Sequence, residues 1–565
     1  MDASLGLSLQ PDPTRWTLAR FLEDVVRRHA LRPAFRFERR TWTYAELDAA
    51  ARALARGLVG AGVAKGARVG VLVANRPEWA IAAFGASMIG AVVVPISTLA
   101  TPAERDHVLR HADVSILLLQ RTLKSRDFLD ELYDHHPALA DGAPGRLYCD
   151  AFPHLRRLVC TGAERLPGGA ESWPELEELG ADVPDALLAG ARDEVTPDDD
   201  GVLIYTSGTT ALPKGVLHRQ RAAVIQAWRF AELMGLRADD RVFTAQPFFW
   251  TAGIAMSLGA TLAAGGCLLL QEIFEPAGAL ELIERERATV VSAFPHQEKA
   301  MGEHPSAAAR DLGSIRLSRF SSPLAERAGI TRDEWGIDAS YGLSETFTIA
   351  AMLPASTPTE IRRGSSGKAL GGNEIRIVDP ETGAPLPVGA SGEIVVRGPT
   401  LMRGYYKVDP EHVFDAEGFF HTQDGGSLDA DGHLHWTGRL SGLIKTGGAN
   451  VSPIELERAL AHYPGLKVAA AVGVPHPTLG EIVVLCVVPM EGARPPDEAH
   501  LQAFVRERLA VYKVPRRVLV FSAGELQFTA NAKVQTAALR QAAERRLADE
   551  RAEIAGHRYG GARPS

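Results

Sequence analysis

Hydrophobic positions along the first hundred residues change period in a regular way. Residues 44–63 repeat apolar side chains at helical spacing, and residues 68–74 (RVGVLVA) form a short run typical of a buried strand. Residues 79–89 return to the helical period, and residues 91–96 (AVVVPI) give a second strand run. Strand and helix alternating in this way predict layered α/β structure built on largely parallel sheets. The stretch 121–200 is rich in Gly, Pro and charge and reads as surface insertions. From residue 375 the texture changes to short alternating strands, EIRIVD and GEIVVRG, separated by turn sequences, which predicts a small β-rich unit. After Gly438 a compact module follows. It has a helix over 454–462, strands over 468–474 and 482–488, and a helix over 500–509. The pattern therefore predicts a large N-terminal body over 1–438, a junction at 439–442, a small α+β unit over 443–545 and a flexible tail over 546–565.

Composition narrows the function classes. At 565 residues the chain is too long for one ordinary core. A net charge of -8 gives no electrostatic footprint for nucleic acid and no polybasic patch for an anionic membrane. No apolar run approaches the length of a membrane span, and the N-terminal residues lack the basic start and apolar core of a secretory signal. The four cysteines are scattered without a CxxC pair, which excludes zinc and dithiol motifs and fits a reducing, cytoplasmic setting.

The strongest local chemistry lies at residues 205–215, YTSGTTALPKG, after the apolar strand 201–204 and ahead of a helical stretch from Ala222. Hydroxyls and glycine crowd into one turn with a lysine close behind. Such a loop offers backbone N–H groups, hydroxyl donors and one cation to a polyphosphate. It is not a Walker loop, because Pro213 precedes Lys214 and Gly215 follows it.

With this loop, five further motifs in order resemble the adenylate-forming superfamily of acyl-CoA synthetases, nonribosomal adenylation domains and firefly luciferase. They are QPFFWTAG (246–253), SYGLSET (340–346), FFHTQDG (419–425), GRLSGLIKTGGANVSPIE (438–455) and ELQFTANAK (525–533). The resemblance spans about residues 18–539 and is closest to the acyl-CoA synthetases. It implies a large body of two α/β subdomains plus a β-rich unit, followed by a mobile α+β lid, with the active site in the cleft between them.

It also implies the following roles. Thr206, Ser207, Gly208, Thr209, Thr210 and Lys214 cradle phosphates. Tyr341 stacks on adenine beside Gly342, Ser344 touches phosphate and Glu345 holds Mg²⁺. Asp424 and Arg439 bind ribose, and Lys533 grips the carboxylate and the α-phosphate. Trp250, Gly253 and Phe320 line the acyl pocket, Gly447 and Gly448 line the thiol tunnel, and Gly442 is the hinge. His296 is a weaker candidate for the pocket.

The implied reaction uses ATP, Mg²⁺ and coenzyme A. A carboxylic acid is joined to AMP with release of pyrophosphate, and the acyl group then passes to coenzyme A. No acidic residue occurs in 241–255, which disfavours an amino acid, since a buried ammonium needs a partner. An apolar acid, whether fatty, aryl or polycyclic, is favoured.

Several positions depart from the family pattern. Ala211, Gln423 and Ala532 replace glycines, Gln527 replaces a proline, and RFSSPL (319–324) replaces a Gly/Ala-rich turn. Gly442 replaces a hinge Asp or Lys, so a second reading is an adenylation-only ligase that hands its acyl group to a separate enzyme or carrier protein. A third is a nucleotide-binding scaffold without catalysis. A homodimer is common among such relatives and is not legible in one sequence.

Overall fold

The computed structural model describes residues 12–162, 166–206, 213–446, 449–461, 463–509, 513–526 and 535–560. The fold is mixed α/β, a large N-terminal body followed by a smaller C-terminal domain. By contacts the chain forms two compact units. The first is residues 1–375, 396–421 and 432–434, and the second is residues 376–395, 422–431 and 435–565.

Two sheets organise the larger unit. In the eight-stranded sheet the order is Gly404–Tyr405, Lys214–Arg219, Asp200–Thr206, Val92–Pro95, Arg68–Leu72, Val114–Gln120, Arg157–Thr161 and Ala170–Ser172. Its pairings are parallel from Asp200–Thr206 through Ala170–Ser172, and antiparallel at the end that carries Lys214–Arg219. A five-stranded sheet runs Val290–Ser292, Arg241–Thr244, Cys267–Leu270, Pro33–Phe37 and Arg40–Thr43, parallel except for its last pair.

The helices predicted from periodicity appear as Tyr44–Gly60 and Pro77–Met88. The first begins with a capping box in which the Thr43 side chain and Glu46 satisfy each other's backbone N–H groups. The second is buried nearly all round, because it lies within the main core with Trp79, Phe84 and Met88.

Two expectations need correction. The segment 121–200 is not merely surface insertion, because it supplies Arg157–Thr161 and Ala170–Ser172 to the eight-stranded sheet. These strands are five and three residues long, too short to show a period among flanking Gly and Pro. Nor is the chain a featureless tail from 546. Helix Thr536–Asp549 continues into a hairpin of Glu553–Ile554 and His557–Arg558, and Tyr559 is buried with its hydroxyl donating to the Pro475 carbonyl at 3.1 Å.

The smaller unit contains a five-stranded sheet of Ala449–Val451, Ile444–Thr446, Gly480–Pro489 and Leu466–His476, with Arg517–Val520 beside Gly480–Pro489. Helices Pro453–Leu460, Glu498–Arg506 and Thr536–Asp549 pack with it. A four-stranded sheet of Glu374–Val378, Gly392–Arg397, Phe420–Leu428 and Leu434–Arg439 confirms the predicted β-rich stretch.

Cys149, Cys160, Cys267 and Cys486 are all buried and unpaired. Burial pushes the thiols of Cys160 and Cys486 up to about 12 and that of Cys267 up to about 11. Among the described residues no helix is long and apolar enough to cross a membrane.

Candidate active site

The phosphate loop begins and ends on paired strands. Thr206 and Lys214 are direct cross-strand partners, as are Tyr205 and Gly215, so the loop closes an antiparallel pair and does not open a helix. The helix Gln220–Leu233 follows only after the strand Lys214–Arg219. The expected strand before the loop and helix around Ala222 are both present, and the strand between them is an addition, since KGVLHR is too brief a run to separate from the helix by pattern. Ser207, Gly208, Thr209, Thr210 and Ala211 lie outside the described residues, as do Gly447, Gly448, Gln527, Ala532 and Lys533.

Two histidines on helix Pro102–His111 reach the stems of this loop. His107 Nε2 donates to the Pro213 carbonyl at 3.0 Å, and His111 Nδ1 lies 2.7 Å from the Tyr205 hydroxyl. Burial, helped by the neighbouring His107, holds His111 below its ordinary value.

SYGLSET folds as a short strand, Ser340–Tyr341, and a single 3-10 turn, Ser344–Thr346. Tyr341 is buried. A methyl group at Gly342 would meet the Thr348 carbonyl oxygen at 2.0 Å, so the turn closes only on glycine. Past Glu345 the backbone is strained. Phe347 has φ 49° and Thr348 has φ 98°, left-handed values that a β-branched residue rarely takes.

Two side chains absent from every motif hold this turn. Gln226 aims its amide nitrogen at the carbonyls of Thr346, Phe347 and Ile349, at 3.2, 3.1 and 2.7 Å. His218 donates from Nε2 to the Ser344 carbonyl at 2.7 Å and sits edge-on to Phe347. Complete burial pushes the His218 ring down to about 4, so at neutral pH it is an uncharged donor.

Glu345 is half-buried. Its Oε1 accepts from the Tyr405 hydroxyl at 2.7 Å, and its carbonyl accepts from the Met402 N–H at 2.7 Å. Among the described residues no basic side chain pairs with it. A carboxylate that carries one neutral hydrogen bond and stands near the stem of the loop expected to take phosphate has the donor chemistry of a Mg²⁺ ligand. That ion takes oxygen ligands and shares them with substrate phosphates.

In the expected acyl region, Trp250 is half-buried and meets the rings of Phe249 and Phe294 edge-on, with centroids 5.4 and 5.7 Å away. His296 stacks on Phe294 at 5.9 Å. Gly253 opens the π-helical stretch Gly253–Gly259, where a methyl group would meet the Pro247 carbonyl oxygen at 2.0 Å. Phe320 is 42% exposed on the RFSSPL turn. Beneath that turn lies Glu298, which motif reading missed. It is fully buried, its carboxylate accepts from Ser318 Oγ at 3.0 Å, and it engages Ser322 and Arg319. Burial pushes the Glu298 carboxyl up to about 7.

The expected ribose residues come together in the smaller unit. Asp424 is buried on strand Phe420–Leu428, and Arg439 Nε lies 3.1 Å from its Oδ1 while Nη1 donates to the Thr422 carbonyl at 2.8 Å. Gln423, at a glycine position, takes φ 58°, with its N–H donating to Glu393 Oε1 at 2.8 Å. Gly442 ends the 3-10 turn Leu440–Gly442, and among the described residues a methyl group there would meet only Arg439 Cβ, at 3.8 Å.

Comparison with known proteins bears on this geometry. The family model described as AMP-binding enzyme matches residues 22–406, and that for the AMP-binding enzyme C-terminal domain matches residues 455–533. The chain belongs to the adenylate-forming AMP-binding enzymes. Its enzyme class is the AMP-forming acid–thiol ligases, and ATP is its nucleotide. It is 33% identical over 481 residues to a feruloyl-CoA synthase of Amycolatopsis, covering 84% of this chain and 89% of that one. It is 32% identical over 536 residues to an indoleacetate–CoA ligase of Aromatoleum aromaticum, covering 93% and 98%. Among solved structures it resembles the anthranilate CoA ligase AuaEII in complex with anthranoyl-AMP. The TM-score is 0.76 at 25% identity, covering 94% of this chain and 98% of that one.

Proposed function

We propose that this ligase activates an aromatic carboxylic acid as its acyl adenylate and then transfers the acyl group to coenzyme A. The observation that carries the reading is the edge of the eight-stranded sheet. There Lys214 ends the stem of the loop proposed to hold phosphate, and Tyr405 links it to Glu345, a carboxylate that no basic side chain neutralises among the described residues. In the first step a carboxylate oxygen attacks the α-phosphorus of ATP, the bond to the bridging oxygen of pyrophosphate breaks, and acyl-AMP forms. In the second a thiolate attacks the acyl carbon, the bond to the AMP oxygen breaks, and AMP leaves. Both steps need positioning and charge stabilisation more than proton transfer.

In this reading Lys214 and the loop residues Thr206, Ser207, Gly208, Thr209 and Thr210 hold the phosphates. Tyr341, Gly342 and Ser344 face the nucleotide, Asp424 and Arg439 hold the ribose, and Lys533 grips the reacting carboxylate. Glu345 holds Mg²⁺, which would neutralise phosphate charge. Trp250, Gly253 and Phe320 line the acyl pocket, and Gly447 and Gly448 line the path of the thiol. The body is residues 1–438, the junction 439–442, and the lid runs from 443 through helix Thr536–Asp549 and the hairpin after it. An aromatic acid is favoured by the Phe249–Trp250–Phe294 edge contacts, since offset and edge-on ring packing extends naturally to a bound aryl group. Relatives named for ferulate, indoleacetate and anthranilate support the same class.

Gly442 supports a second reading, in which adenylation proceeds and thioester formation is left to a partner enzyme or carrier protein. A hinge without a side chain has nothing to hold one pose. Mass spectrometry of products from ATP, Mg²⁺ and a pool of aryl, fatty and polycyclic acids, with and without coenzyme A, separates the readings. Aryl-CoA is the expected product. Acyl-AMP that coenzyme A fails to discharge would establish the second reading, and no adenylate from any acid would overturn both.

A further inference from the structure

Lys214, on strand Lys214–Arg219, and Glu345, on the turn Ser344–Thr346, carry opposite charges, yet no ion pair joins them among the described residues, and Tyr405 stands between. Tyr405 sits on the outermost strand, Gly404–Tyr405, paired with Lys214–Arg219 in the register Tyr405 to Val216. Its ring face lies under the Lys214 ammonium, with Nζ 5.2 Å from the centroid. Its hydroxyl donates to Glu345 Oε1 at 2.7 Å. The Met402 N–H, three residues earlier, donates to the Glu345 carbonyl at 2.7 Å, so this segment fixes both the backbone and the side chain of Glu345. The ring edge packs against Phe420 at 6.3 Å, which limits where it can turn.

We propose that Tyr405 is a positioning residue that keeps the phosphate-binding lysine and the metal-binding carboxylate apart and aims both at the nucleotide. The inference rests on the roles proposed above for Lys214 and Glu345. The chemistry is specific to a phenol. A cationic donor in its place would neutralise the carboxylate and compete with a divalent ion, whereas a neutral hydroxyl fixes one oxygen and leaves the charge intact. The negative face of the ring seats the ammonium electrostatically and blocks the direct route to the carboxylate. Without the ring the two side chains collapse into a salt bridge, and each is lost to its ligand.

Two substitutions separate the two contacts. Tyr405→Phe keeps the ring and deletes the hydroxyl, and Tyr405→Leu deletes both. Binding of Mn²⁺ is measured by electron paramagnetic resonance on the full chain with α,β-methylene-ATP, which cannot be cleaved at the reacting bond. Steady-state pyrophosphate release is measured in parallel over a Mg²⁺ series. Tyr405→Phe is expected to weaken Mn²⁺ binding about 10-fold, the scale on which groups that orient metal ligands act, with the KM for ATP nearly unchanged. Tyr405→Leu is expected to weaken Mn²⁺ binding as much and to raise the KM for ATP as well, because Lys214 is then recruited by Glu345. A general packing defect would lower kcat and the melting temperature without moving the Mg²⁺ requirement. Wild-type Mn²⁺ affinity in Tyr405→Phe, while Glu345→Gln loses it, overturns the role of Tyr405 alone. Unchanged affinity in Glu345→Gln overturns the metal reading and this inference with it.

Discussion

The region that joins Lys214 to Glu345 through Tyr405 and the segment that carries Asp424, Arg439 and Gly442 are built to different standards. On the first, a strained turn is clamped from several sides by uncharged donors: buried Gln226 on three carbonyls, buried His218 on a fourth, and half-buried Tyr405 on the carboxylate. On the second, Arg439 is more than half exposed, Gln423 occupies a left-handed position without being glycine, and Gly442 has only Arg439 Cβ near it among the described residues. The first region holds a fixed geometry against its own strain, as a preorganised electrostatic site must. The second keeps one buried acid in place and leaves the chain around it with few commitments.

The contrast breaks first at Gln226. Gln226→Ala leaves several buried carbonyls without their donor, and about 3 kcal/mol of stability is expected to go with them. Urea denaturation reads the stability loss, and pyrophosphate exchange is expected to fall in parallel because Glu345 loses its turn.

The next effect is a pH dependence. His218 is held near 4 in the folded chain against 6.5 for a free ring, so between those values the unfolded chain binds a proton that the native one refuses. Stability therefore falls as pH drops from 6.5 towards 4 and is complete above that window, by up to roughly 3 kcal/mol. His218→Gln keeps an amide donor for Ser344 and does not titrate. Its unfolding midpoint is expected to vary less than wild type between pH 7 and pH 5, and equal slopes would remove His218 as the cause.

Smaller changes test the second region. Gln423→Gly is expected to relieve about 1 kcal/mol of left-handed strain, partly offset by the greater freedom of glycine in the unfolded chain. A thermal melt that drops instead would show that the Gln423 side chain contributes more than its backbone costs. Gly442→Asp should change stability by less than about 0.5 kcal/mol, since among the described residues only Arg439 Cβ lies near. If the missing side chain limits transfer, the ratio of acyl-CoA to acyl-AMP rises in this variant. An unchanged ratio removes the argument for an adenylation-only enzyme.

The limits of sequence reading follow the same divide. Helices and strands with several turns or alternations were legible, because burial imposes a period on them: residues 44–63 fold as Tyr44–Gly60 and residues 482–488 lie within Gly480–Pro489. Short strands were not, and Lys214–Arg219 passed unnoticed between loop and helix although it carries the first lysine of the site. Of the candidate site, the residues inside motifs are visible in the sequence and the residues that contact them are not. Tyr405 lies 60 positions from Glu345, His218 lies 126 from Ser344, and Gln226 lies 120 to 123 from its three carbonyls. Such pairings are fixed by which strands lie side by side, and no local pattern encodes that. Glu298 escaped for a similar reason, since a lone glutamate at one end of a helix looks like a solvated residue until its burial is known.

The four buried thiols have a practical consequence. In an enzyme that generates an activated acyl group, burial holds the thiols of Cys160, Cys267 and Cys486 far above neutral pH and keeps all four cysteines from the surface, so incoming thiols meet no exposed internal competitor for acylation. The same silence makes the native surface a blank background for labelling. A single cysteine introduced at an exposed position becomes the fast-reacting one, and a pair of such sites, one in each compact unit, can carry a donor and an acceptor dye with no native cysteine removed.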